Sequence, residues 1–167
     1  MADTSDLFHR TPRTDAFWRA YAEATDASGS YDVVAFGDSP AMATELANLV
    51  LAGTKRATAG LARDFGDGPG QEPTPVVGGC VVLVDGTGEP RAVWRTTEVR
   101  VGPLDSVDES FAWDEGEGER TRDDWLAMHR RYLARQAERD GFAFHDGIET
   151  VFERFRIVWP PEAADGA

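Results

Sequence analysis

The sequence predicts an α+β domain in which a small, mainly antiparallel or mixed β-barrel is surrounded by helices. Two observations carry this. Strands are linked by hairpin signals, and the helical segments are of a kind to pack outside them. The expected order is helix, strand, helix, strand, loop, two strands, two helices and a last strand. A chain of 167 residues fits one compact domain, and 41% hydrophobic residues with five Trp and nine Phe suffice for a core. The expected organisation is an N-terminal extension with a helix (1–30), the main domain (31–160) and a disordered tail (161–167).

Residues 1–14 read as a loose lead-in. From Asp15 to Ala27, Phe17, Trp18, Tyr21 and Ala24 recur at helical spacing, and Ser28-Gly29-Ser30 ends the run. Tyr31 to Phe36 is a short extended run. Ser39 as N-cap and Pro40 at the first helical position then open a helix whose apolar face holds Met42, Leu46, Leu49 and Val50. Gly53 is placed to stop it. Arg56 to Leu61 alternates as a strand. Residues 66–75 are dense in Gly and Pro, which marks a long mobile loop.

Val76 to Val84 is nearly all apolar and reads as a strand buried on both sides. Asp85-Gly86-Thr87-Gly88 turns it into a return strand, Arg91 to Val101, with Trp94, Thr96 and Glu98 on one face. That face suits either a cavity wall or an amphipathic edge. Leu104 to Trp113 reads as helical and runs into the acidic stretch 114–119, where glycines suggest a flexible, solvated loop. Thr121 caps a long helix over 122–139, with Trp125, Met128, His129, Tyr132 and Gln136 along one stripe, and Gly141 ends it. Thr150 to Trp159 alternates Val151, Glu153, Phe155 and Ile157 against Phe152, Arg154, Arg156 and Val158.

The net charge of −13 disfavours a long nucleic-acid footprint and fits a small ligand or a short single strand, with no DNA duplex expected. One cysteine, Cys80, allows no internal disulfide, and the three histidines show no metal spacing. No metal or other cofactor is expected. No leader pattern and no membrane-length apolar run occur, so the expectation is a cytoplasmic protein.

The chemistry centres on Lys55, the only lysine among 17 basic residues. Arginine stays protonated, whereas a lysine amine can be tuned by its surroundings. Thr58 lies three residues on. In a regular strand the two would point to opposite faces, so Lys55 must sit in the turn after Gly53 if they cooperate. An ordinary solvated loop cation is the competing reading. Burial lowers a lysine pKa and a neighbouring carboxylate raises it, so the sequence does not set the net direction; the reading of Lys55 as a base takes burial to prevail.

Several stretches together resemble the ASCH-domain family of PUA-like β-barrels, in a longer bacterial form. They are Phe36-Gly37-Asp38-Ser39-Pro40, the run Leu51 to Thr58, Val77-Gly78-Gly79, Arg95 to Val99, Glu115 to Gly118, and Glu153-Arg154-Phe155. The resemblance implies a barrel with a cleft and a role in binding RNA or a modified nucleoside. Some small bacterial members look like amidohydrolases of N4-acetylcytidine and related nucleosides. On that pattern the catalytic roles fall on Lys55, Thr58 and either Glu115 or Glu117, with Glu117 favoured. Asp38, Ser39, Arg56, Arg63, Trp94 (or Trp125) and Arg154 are candidates for substrate contact. An RNA-binding module or ribonuclease, and a non-enzymatic nucleoside sensor, are the alternatives.

Overall fold

The computed structural model describes residues 9–166. Five strands form one sheet: β1 (Asp32–Val34), β2 (Ala57–Leu61), β3 (Cys80–Val84), β4 (Pro90–Pro103) and β5 (Glu149–Trp159). Their spatial order is β1-β3-β4-β5-β2. The β1–β3 pair is parallel and all other neighbours are antiparallel. The sheet curls into a half-barrel around two long strands, β4 and β5, whose pairing carries two register shifts. Four helices accompany it: α1 (Pro12–Thr25), α2 (Pro40–Leu51), α3 (Glu109–Glu115) and α4 (Arg122–Asp140). This is the α+β, PUA-like architecture that the sequence predicts.

Each helix starts where a side-chain oxygen accepts an otherwise unpaired backbone N–H. Thr11, Ser39, Asp108 and Thr121 accept from Thr14, Met42, Phe111 and Asp124 respectively. On one side of the sheet, α3 and α4 bury Phe111, Trp125, Leu126 and Leu133 against Ala57, Leu61 and Phe152. A second cluster packs Ala47 and Val50 of α2 with Phe36, Trp94, Phe155 and Ile157. A third joins Tyr21 of α1 to Tyr31, Val82 and Val93. The expected extension is thus part of the packing from Pro12 onward. Residues 1–8 of the expected lead-in lie outside the described residues.

Five expectations change. The strand foreseen from Val76 begins only at Cys80, because Gly79 N–H bonds back to Val76 O and leaves Val76 and Val77 exposed. The helix foreseen from Leu104 becomes a 3-10 turn, Leu104–Ser106, and α3 starts after the Asp108 cap. The acidic stretch is not wholly a solvated loop, since Glu115 is the last residue of α3 and is buried. The tail is tied down through Asp165, whose carboxylate accepts from Ile157 N–H at 2.8 Å and from the Arg56 guanidinium at 2.9–3.1 Å. The 66–75 loop is also pinned, by Glu72 N–H to Asp64 O (2.8 Å) and Gly66 N–H to Glu72 O (3.0 Å).

Candidate functional site

The site begins where α2 stops. Gly53 takes φ +86°, which frees the chain to turn, and the N–H groups of Thr54 and Lys55 both bond to Leu49 O. Lys55 therefore sits in the turn, two residues before β2 begins, as cooperation with Thr58 requires. Arg56 N–H bonds to Asp114 O (2.6 Å), which joins this turn to the end of α3. There Gly116 adopts φ +73°, and a Cβ at that position would collide with Thr54 O. Two turns thus meet backbone to backbone, with no room for a side chain between them.

Lys55 is 1% exposed, so it is a buried cation and not a loop cation in solvent. Its ammonium has three acceptors: Glu115 Oε2 at 2.5 Å, Glu117 Oε2 at 2.8 Å and Glu115 O at 3.3 Å. The Phe36 ring lies 5.0 Å away and adds a cation–π contact. Burial disfavours the charge on Lys55, but the two carboxylates outweigh it and hold the pKa above the ordinary lysine value. This corrects the reading of Lys55 as an amine whose pKa burial lowers so that it can act as a base. It is an ammonium at neutral pH, suited to stabilising negative charge. Glu115 and Glu117, the two candidate acids, both bind the lysine. Burial pushes the Glu115 carboxyl up, whereas Lys55 pulls Glu117 below the usual range against its own burial.

Beyond this cluster, Trp125 Nε1 donates to Glu115 Oε1 at 3.2 Å, and His129 stacks on Trp125 with centroids 3.6 Å apart. His129 Nδ1 donates to Trp125 O (2.9 Å), leaving Nε2 3.7 Å from Glu115 Oε1. Burial drops the His129 pKa to about 4, so the ring is neutral. A folded-state pKa below the unfolded value gives stability that is present above pH 6.5 and lost as pH falls through about 4. Urea unfolding should show a loss of about 3 kcal/mol over that window, beyond that of a His129→Gln variant. Parallel curves for the two proteins would refute the assignment.

A cavity of about 390 Å³ opens beside these groups, and Lys55, Thr58, Glu115 and Glu117 all line it. That volume lies within the usual range of small-ligand pockets. Thr58 is half-buried, and among the described residues its hydroxyl makes no hydrogen bond. Its cross-strand partner in β5 is Glu153. Glu153 is 6% exposed, and its Oε2 accepts from Trp94 Nε1 (3.1 Å) and Thr96 Oγ1 (2.7 Å). Glu72 from the 66–75 loop, Asp64, Phe65 and Tyr132 complete much of the wall.

The remaining candidates stand elsewhere or are otherwise engaged. Ser39 caps α2, and neither it nor the exposed Asp38 lines the cavity, although Phe36, Gly37 and Met42 do. Arg56 is held by Asp165 and two carbonyls. Arg63 lies over Phe142, 3.9 Å from the ring centroid. Arg154 binds Asp114 and Glu98. Trp94 contributes to the cavity wall but is fully buried, stacked with Phe36 and Phe155. Trp125 is likewise stacked on His129. The aromatic side chains at the cavity that retain exposure are Phe65 and Tyr132, and the arginines there are Arg131 and Arg135. Sequence reasoning assigned no function to Glu72, Glu153, Phe65 or His129. Glu153 had a signal: it is an acid in the middle of the apolar face of a strand.

The ASCH domain family profile matches residues 32–159, which contain this whole site. The chain belongs to the ASCH domain family. The ASCH domain from Lactobacillus crispatus JV V101 has a similar crystal structure, with a TM-score of 0.77 and 27% identity over 88% of this chain and 94% of that one. A protein from Enterococcus faecalis V583 is similar too, with a TM-score of 0.77 and 30% identity over 87% of this chain and 88% of that one. No curated protein matches the chain. Helix α1 precedes the matched segment. Among the described residues of this ASCH protein, no helix is long and apolar enough to cross a membrane, and no group of three or more His, Cys, Asp or Glu is placed to hold a metal.

Proposed function

We propose that this ASCH protein is a hydrolase of modified nucleosides that cleaves an amide of the N4-acylcytidine type. One observation carries the reading: a buried ammonium, fixed by two carboxylates, shares a nucleoside-sized cavity with an unbonded threonine hydroxyl. Thr58 Oγ1 attacks the acyl carbon, and its proton passes to Glu117, the more exposed of the two carboxylates. Negative charge develops on the carbonyl oxygen and is stabilised by Lys55. As that charge takes up the ammonium, its hold on Glu117 weakens and the carboxylate becomes a better base. The C–N bond then breaks, the proton goes to the departing amine, and water cleaves the Thr58 ester. Phe65 and Tyr132 supply apolar surface for the base.

Incubation with N4-acetylcytidine, followed by chromatography, should show cytidine and acetate forming. Absence of turnover across a set of N4-acylcytidines would overturn the reading. The RNA alternative rests on Arg131 and Arg135, exposed at the edge of the cavity. A gel shift with short single-stranded RNA at low and physiological salt tests it. Binding with cleavage would replace the nucleoside reading, and no binding even at low salt would remove the alternative.

A further inference from the structure

We propose that Glu72 and Glu153 form the specificity pole of this cavity, a paired carboxyl acceptor for a ligand edge that carries two adjacent N–H donors. An amidinium or guanidinium edge is its tightest match. The inference rests on the cavity of the proposed function being a ligand site, and it goes beyond the N4-acylcytidine reading, since that substrate presents one N–H beside two ring acceptors.

Glu153 is the first ground. It stands on the buried face of β5 between Val151 and Phe155, where an acid is costly unless it is paired. The fold supplies two neutral donors, Trp94 and Thr96, both to Oε2. No described residue donates to Oε1, and the charged neighbour acting on this carboxyl is another acid, Asp32. The side chain is therefore held in one orientation with one oxygen left over and no cation to balance it. Trp94 and Thr96 are its positioning residues.

Glu72 is the second ground. The Gly- and Pro-rich loop doubles back so that Phe65 and Glu72 form a parallel bridge, and this sets the Glu72 side chain into the cavity wall. Its carboxyl makes no hydrogen bond among the described residues. Burial, Asp64 and Glu153 push its pKa up to about 7. Asp64 is partly satisfied by Gln136 Nε2 (2.8 Å). The other ionisable groups on this part of the wall are Tyr132, Arg131 and Arg135 of α4, and the two arginines are exposed. A ligand with paired N–H groups would satisfy the Glu153 oxygen and the Glu72 carboxyl together.

Register supplies the third ground. Thr58 and Glu153 are direct cross-strand partners, so their Cβ atoms are about 5 Å apart on one face of the sheet. A ligand edge anchored on Glu153 therefore carries its adjoining substituent to Thr58 and Lys55.

Calorimetric titration of the full chain with benzamidine, benzamide and benzoate tests this without turnover. Benzamidine should bind about tenfold or more tighter than benzamide, and benzoate should bind weakest. Glu72→Gln and Glu153→Gln should each weaken benzamidine about tenfold and leave benzamide nearly unchanged. Benzamidine affinity should rise roughly tenfold between about pH 6 and pH 8 as Glu72 ionises, and this rise should vanish in Glu72→Gln. Equal binding of the three probes, no binding of benzamidine, or indifference to the substitutions would overturn the proposal. Where the buried Glu153→Gln variant fails to fold, Glu72→Gln on the loop decides. A protein that selects benzamidine yet cleaves no acylcytidine keeps this inference and loses the hydrolase reading; the reverse outcome does the opposite.

Discussion

Lys55→Ala is expected to abolish turnover and to destabilise the fold by about 3–5 kcal/mol. The ammonium is the charge partner of two carboxylates, one of them 2% exposed, so its removal leaves Glu115 as an uncompensated buried acid. Lys55→Arg keeps the charge, and from sequence alone its stability should change little. The structure overturns that expectation, because a guanidinium does not fit the space that Phe36, Glu115 and Glu117 enclose around Nζ. It too should unfold earlier. Urea melts followed by Trp fluorescence measure both variants, and Lys55→Ala with Glu115→Gln should recover part of the loss. A lone Lys55→Ala as stable as the parent would mean that the ion cluster does not hold the site together.

Thr58→Val should behave in the opposite way, leaving stability within about 1 kcal/mol while lowering kcat/KM for an N4-acylcytidine by roughly 10³-fold or more. Valine keeps the branched shape suited to a strand, and the hydroxyl it replaces has no hydrogen-bond partner among the described residues to lose. The contrast with Lys55→Ala separates a group that reacts from one that also supports the fold. Full activity in Thr58→Val would assign the attack to water activated by Glu117 and remove the acyl-enzyme step.

The parts of this fold legible in the sequence are those specified by neighbours along the chain. Thr121 and Gly141 bound α4 because caps act within a turn, and Ser39-Pro40 opens α2 for the same reason. The Lys55 turn was placed by Gly53. Glu115 was hidden because its burial depends on a lysine 60 residues away, so it looked like one more acid in a charged run. Val76 and Val77 misled in the other direction, since an apolar run does not reveal that Gly79 folds back on it before the strand starts. Trp94 reads from the sequence as a candidate for substrate contact, yet aromatic partners from two other segments already occupy it. Glu72 sits in a loop whose composition announces irregularity and says nothing of where one carboxyl ends up.

The pairing of β2 has a consequence for how the protein is made. This strand, which carries Thr58, has β5 as its partner in the sheet, and the Lys55 carboxylates come 60 and 62 residues after the lysine. A growing chain therefore exposes the Thr58 hydroxyl and the Lys55 ammonium long before anything can hold them, and the site closes only after β5 has been synthesised. Nascent chains halted before Glu149 should bind no ligand at all, whatever helical structure α1 and α2 have acquired by then.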